Sequence, residues 1–169
     1  KDLNIDDVVD RLRGTPGTDV TVTILRGREI ELQVTLKRAI IEVPTTKHAM
    51  IGSNIGYIRI IQFTPLTAEK VEEALDEFSG KGYSSLIIDV RNNPGGLLSS
   101  VVNVADLFLN GGVIVSTRSR IESENSVFTA DMSVEIPTGK PMAVLIDKGS
   151  ASASEILAGA LKDQKRATL

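Results

Sequence analysis

The chain has 169 residues, 41% apolar and 24% charged, with a formal net charge of −3 and no cysteine. That length holds one good core, or a core plus part of a second domain. The charge argues against a general nucleic-acid surface, which needs a basic stripe, and the missing cysteine excludes disulfides and thiolate catalysis.

In chain order, Asn4 or Asp6 caps a short helix carrying Ile5, Val8, Val9 and Leu12 at helical spacing. Arg13 to Thr18 is a turn, broken by Gly14, Pro16 and Gly17. Val20, Val22 and Ile24 alternate with threonines, Arg26-Gly27-Arg28 turns the chain, and Ile30, Leu32, Val34 and Leu36 alternate again. This predicts a β-hairpin with one half-buried face. Region 1–36 is too small to hold a core of its own. Residues 37–54 read as a connector with strand character at Ile40, Ile41 and Val43.

A strand follows at Gly56 to Ile61. A helix starting at Thr64 or Thr67 turns Val71, Ala74, Leu75 and Phe78 inward. Leu86 to Val90 is an apolar run of strand length, covered on both faces. After the turn Arg91 to Gly96 comes a helix, Leu97 to Leu109, with Val101, Val104, Ala105 and Phe108 inward. Val113 to Val115 is the next strand. The polar stretch Arg118 to Glu135 is a surface excursion with a strand at Ser126 to Phe128. Met142 to Ile146 is another buried strand, and Glu155 to Leu161 is helical. Strands alternating with helices from Gly56 onward predict an α/β layer. No apolar run approaches the roughly 20 residues that cross a bilayer, and no signal peptide is visible.

Chemistry is expected where buried strands end, because the core holds those loops rigid. Two such loops stand out. In Asp89-Val90-Arg91-Asn92-Asn93-Pro94-Gly95-Gly96, glycine backbone opens N–H groups near a helix start, a setting that suits an oxyanion; read plainly, it is a tight strand-to-helix turn. In Gly149-Ser150-Ala151-Ser152-Ala153-Ser154-Glu155 one serine sits at the bend as a nucleophile, or the run is a helix start with Ser150 or Ser152 as cap. A serine needs a base. His48, the single histidine, lies in the connector and fits an exposed linker residue better. A Ser-Lys arrangement remains, and Lys148, Lys162 and Lys165, near in sequence, read as solvated. Clustered ligands for a metal are lacking, and the glycine loops match no dinucleotide or phosphate-loop pattern.

These motifs resemble the carboxy-terminal processing proteases, also called tail-specific or S41 proteases. The likeness rests on Leu12 to Thr18 with Val20 to Ile24, Ile55 to Ile60 with Gln62-Phe63, Leu86 to Leu97, Gly149 to Ile156, and Ala158 to Asp163 with Arg166-Ala167. It covers essentially the whole chain. The resemblance implies an α/β fold: a protease core of ClpP/crotonase-like shape over 55–169, preceded by the C-terminal part of a PDZ domain over 1–36, with the connector 37–54 between them. It makes Ser152 the nucleophile, with the N–H groups of Ala153 and of Gly95 or Gly96 as oxyanion hole. Asp163 matches an acidic residue with a structural role, holding polar groups near the site or capping through its carboxylate.

The resemblance further implies a base lysine about two dozen residues after the serine, in a Phe-Gly-Lys-Gly segment beyond Leu169. Neither Lys148, Lys162 nor Lys165 fits it, so the 169 residues alone are expected to be inactive. The implied function is a serine endopeptidase acting on proteins or peptides with accessible C-termini, with no cofactor, no metal and no nucleic-acid partner. An extracytoplasmic location, membrane association only through a preceding segment, and a homo-oligomer are compatible with it. Two rival readings are an inactive PDZ-linked peptide-binding scaffold and a crotonase-like assembly domain without hydrolysis.

Overall fold

The computed structural model describes residues 4–27, 30–40, 44–131 and 139–169. The chain divides into two compact units, 1–43 and 44–169.

The first unit holds helix α1 (Ile5–Leu12) and strands β1 (Asp19–Arg26) and β2 (Ile30–Lys37). Asn4 Oδ1 accepts the Asp7 N–H at 2.8 Å, satisfying one of the donors that a helix start leaves open. The strands pair antiparallel, with Val22 opposite Val34. Arg38 ties helix to hairpin: its guanidinium donates to the carbonyls of Leu12 at 2.8 Å and Arg11 at 3.1 Å, and to Thr18 Oγ1 at 3.0 Å. Cationic donors at a helix C-terminus meet its unpaired carbonyls. The predicted half-buried face is only weakly covered. Val20, Val22 and Val34 are partly buried, whereas Ile24, Leu32 and Leu36 are exposed. A two-turn helix offers too little apolar surface to bury eight-residue strands.

The second unit is a four-stranded sheet ordered β3 (Thr46–Ile51), β4 (Ile55–Ile60), β5 (Ser85–Asp89), β8 (Met142–Leu145). Strands β3 and β4 are antiparallel; β4, β5 and β8 run parallel. Helix α2 (Thr67–Gly80) links β4 to β5 and packs against helix α3 (Leu98–Asp106), which packs in turn against helix α4 (Ala153–Asp163). Strands β6 (Val113–Thr117) and β7 (Ser126–Thr129) form a separate antiparallel pair, with the turn Glu122–Glu124 between them.

Both predicted helix stripes are interior: Val71, Ala74 and Phe78 of α2 are fully buried, as are Val101, Val104 and Ala105 of α3 with Phe108 just after it. They close over Ile58, Ile60, Ile88, Val90 and Val144 of the sheet region. The segment expected as connector contains β3, an edge strand paired with β4 along its whole length. Ile40 lies outside any strand and is exposed, and Ile41 and Val43 lie outside the described residues, as does the end of the polar excursion at 132–138. Among the described residues no helix is long and apolar enough to cross a membrane.

Candidate active site

Neighbouring parallel strands deliver their following loops to the same end of a sheet. Here β5 leads into the loop 90–97 and β8 into the loop 146–152, and hydrogen bonds stitch the two together. Asn92 N–H donates to Asp147 Oδ1 at 2.8 Å, and Ser150 Oγ donates to the Val90 carbonyl at 2.8 Å. The Asn93 carbonyl accepts both Ala151 N–H at 3.1 Å and Ser154 Oγ at 3.0 Å.

The serine bend itself is approached by Gly95. A Cβ on this residue would stand 2.9 Å from Ser152 Cβ and 3.0 Å from Ala153 N. Gly95 has φ 109° and Gly96 φ 147°, both in the region that L side chains avoid. A Cβ on Gly96 would overlap the carbonyl of Phe63, which accepts the Leu97 N–H at 2.9 Å, while Phe63 N–H donates to the Gly95 carbonyl at 3.0 Å. The glycine turn is thus pinned between the segment after β4 and the serine bend.

The three serines differ sharply in surroundings. Ser150 and Ser154 spend their hydroxyls on carbonyls of the facing loop, and Ser154 is fully buried. Ser152 is exposed. It has φ 53° and ψ −115°, a conformation rare for a residue with a Cβ, and it stands directly before α4. The bend and the helix N-cap are therefore one residue. Glu155, three positions on, accepts the Ser152 N–H through Oε2 at 2.7 Å.

That bond helps to sort the backbone donors. Ser152 N–H is taken by Glu155 and Gly95 N–H by Asn93 Oδ1 at 2.8 Å. Among the described residues the N–H groups of Gly96 and Ala153 have no acceptor. Ala153 is the first residue of α4, where an amide has no partner inside the helix and the dipole favours negative charge.

Acidic and amide side chains hold the loops by a repeated device. Asp89 Oδ1 accepts Arg91 N–H at 2.9 Å, Asn93 Oδ1 accepts Gly95 N–H, and Asp147 Oδ1 accepts Gly149 N–H at 2.9 Å. Each is an Asx turn reaching two residues forward. Sequence reasoning assigned no role to Asn93, Asp147 or Asp89; an Asn or Asp two places before a loop glycine was the readable signal for the first two. Asp89 is fully buried and also accepts from Tyr57 Oη at 2.7 Å and from the Arg91 guanidinium at 2.6 Å. Burial alone would raise its pKa, but the Arg91 and Tyr57 hydrogen bonds outweigh it and hold the carboxyl at about 2. Asp147 also lies below the ordinary carboxylate range, chiefly because of the Asn92 N–H.

Of the other sequence candidates, Asp163 and His48 lie outside the two loops. Asp163 is the last residue of α4, exposed, about three turns from Ser152. It shares the lining of a groove of about 370 Å³ with Ser150, Ser154 and Glu155, at the far end of the helix that starts beside Ser152. His48 sits on β3 and meets Glu77 of α2 at 2.9 Å; neither belongs to the two loops. Among the described residues no lysine or histidine nitrogen is hydrogen-bonded to Ser152.

Residues 54–169, which include both loops, match the model of Peptidase family S41. The chain belongs to peptidase family S41. It is 43% identical to a carboxy-terminal-processing protease of Bartonella bacilliformis, over 98% of this chain and 39% of that protein. It is 40% identical to a carboxyl-terminal-processing protease of Synechocystis sp., over 99% of this chain and 40% of that one. Among solved structures, a photosystem II D1 C-terminal processing protease superposes with a TM-score of 0.64 at 29% identity, covering 98% of this chain and 46% of its own. The chain thus spans less than half the length of these relatives, and the mixed α/β architecture is that of S41 protease folds.

Proposed function

We propose that this chain carries the nucleophile and oxyanion site of a serine endopeptidase that cleaves proteins near their C-termini, as the names of its relatives describe for them. The observation that carries the reading is Ser152. It is an exposed residue on a positive-φ bend, packed against Gly95, with unpaired amides of Gly96 and Ala153 on the residues next to that contact.

In this reading Ser152 Oγ adds to a peptide carbonyl carbon as its proton passes to a base. The carbonyl oxygen becomes an oxyanion against the N–H groups of Ala153 and Gly96. Collapse expels the amine, which takes the proton, and water then hydrolyses the acyl-serine. Gly96 is preferred over Gly95 because Gly95 N–H is already donated to Asn93. A trans peptide also turns Gly96 N–H opposite to the Gly95 carbonyl, and that carbonyl faces Phe63.

The base in this reading is a lysine on the segment that follows Leu169 in a longer protein. The direction of the C-terminal residues supports it. Thr168 bridges Ala143 in parallel, with Thr168 N–H donating to Met142 O at 3.0 Å and Val144 N–H to Thr168 O at 2.8 Å. A strand continuing that pairing runs toward the end of the sheet where the serine bend lies. The helix and hairpin of the first unit serve, on the same reading, as the end of a PDZ domain that presents a substrate C-terminus. The extracytoplasmic location expected from the resemblance belongs to the same proposal.

The test uses the full-length protein and an unstructured peptide, with cleavage products identified by mass spectrometry. Cleavage near the free C-terminus that disappears in Ser152→Ala is expected. Binding of the peptide without cleavage, in a correctly folded wild type, would instead establish the inactive scaffold.

A further inference from the structure

Asn93 is fully buried, yet every polar group it owns is engaged. Its side-chain Nδ2 donates to the Ile60 carbonyl at 2.9 Å, at the end of β4. Oδ1 takes the Gly95 N–H at 2.8 Å. Its backbone N–H donates to Val90 O at 3.2 Å, and its carbonyl receives Ala151 N–H and Ser154 Oγ from the facing loop. One residue therefore joins the end of β4, the glycine turn and the serine bend. A buried amide satisfied on both sides is rigid, because releasing either end leaves an unpaired polar group in the interior.

Its placement has a chemical consequence for the turn. The glycine pair offers two N–H groups, and glycine backbone is free enough to present either. Oδ1 removes one of them from competition. With Gly95 N–H fixed to Asn93 and Gly95 O fixed to Phe63 N–H, both faces of that residue are held and the Gly95–Gly96 peptide has no free rotation left.

We propose that Asn93 is the positioning residue of the oxyanion site, selecting the Gly96 N–H over the Gly95 N–H and holding it against the Ser152 bend. This rests on the serine-peptidase reading above. Asn93 touches neither substrate nor the reacting atoms. It acts through the glycine peptide, so it shapes transition-state binding and leaves ground-state binding alone. Oxyanion donors count only when they are already in place as charge develops.

The experiment measures steady-state cleavage of one peptide by full-length wild type, Asn93→Ala, Asn93→Asp and Ser152→Ala, with thermal unfolding of each. Asn93→Ala is expected to lower kcat on the order of 10- to 100-fold with KM within about twofold. The affinity for a peptide aldehyde, whose adduct carries the oxyanion, falls in parallel with kcat. Asn93→Asp separates positioning from packing and serves alone if the alanine variant does not fold. Its ionised carboxylate faces the Ile60 carbonyl without a donor, whereas its protonated form restores an O–H donor there. The ratio of its kcat to that of wild type should therefore rise as pH falls. A folded Asn93→Ala variant with unchanged kcat, a loss confined to KM, or a pH-independent Asn93→Asp ratio overturns the proposal while leaving the peptidase reading standing. A wild type that cleaves nothing, like Ser152→Ala, overturns both.

Discussion

Asp147 Oδ1 accepts the backbone N–H of Asn92 across 55 positions of sequence, at 2.8 Å. The same oxygen takes Gly149 N–H at 2.9 Å, so one carboxylate sets the spacing of the two loops that meet at Ser152. Asp147→Ala leaves both amides to solvent. We expect a lower Tm and a kcat/KM reduced on the order of 10-fold, since small displacements of a site are expensive in rate. The pH dependence has a definite sign. A carboxyl whose folded pKa is depressed contributes stability above its unfolded pKa and loses it as pH falls through the folded value. The wild type should therefore lose Tm on acidification below the ordinary carboxylate range more steeply than Asp147→Ala does.

Asp89 makes the same argument from the interior. Its ordinary value of 3.8 falls to about 2, with burial opposing the shift and the Arg91 and Tyr57 hydrogen bonds producing it. Its contribution to stability is complete above pH 3.8 and drains away toward pH 2. Tyr57→Phe removes one of its donors. That should cost about 1 kcal/mol in chemical denaturation at neutral pH, and it should move acid unfolding to higher pH. An acid-unfolding midpoint unchanged by Tyr57→Phe would show that the phenol does not hold the carboxylate in its charged form.

Gly95 and Gly96 should fail in different ways when replaced by alanine. A methyl on Gly96 overlaps the Phe63 carbonyl, so Gly96→Ala is expected to destabilise the fold by more than about 2 kcal/mol, through backbone strain and displacement of a packed segment. A methyl on Gly95 instead enters the space beside Ser152 and Ala153. Gly95→Ala should retain more stability than Gly96→Ala in urea titration and still lose peptide cleavage.

Substitutions across the serine run test whether strain resides at one position. Ser152→Gly should be more stable than Ser152→Ala by about 1 kcal/mol, because glycine tolerates φ 53°. Ser154→Ala deletes a buried donor and should cost about 1 kcal/mol relative to wild type. Equal Tm values for Ser152→Gly and Ser152→Ala would indicate that the bend relaxes without effort.

Much of this arrangement was readable in advance because period and chemistry agreed. The α2 and α3 stripes recur at helical spacing, and Phe78 and Phe108 are interior as that spacing requires. Strand β3 escaped because an edge strand, largely exposed along Thr46–Ile51, carries no clean alternation. At the site, proline-glycine-glycine and the serine run were visible, but three serines separated by alanines look alike in a sequence. Only the partner loop distinguishes them, by accepting the hydroxyls of Ser150 and Ser154. The proposed preference for Gly96 over Gly95 is hidden for the same reason: it rests on Asn93 Oδ1 taking the Gly95 N–H, a contact that no residue pattern displays.

The tie between Asn92 and Asp147 also bears on the life of the nascent chain. A ribosome delivers the first loop well before the second, and until β8 settles beside β5 the bend at Ser152 has nothing to lean on. Non-local pairings of this sort form late. On the proposed peptidase reading, the reactive hydroxyl is therefore completed only once β5 and β8 have paired, and an unfinished copy does not yet carry it.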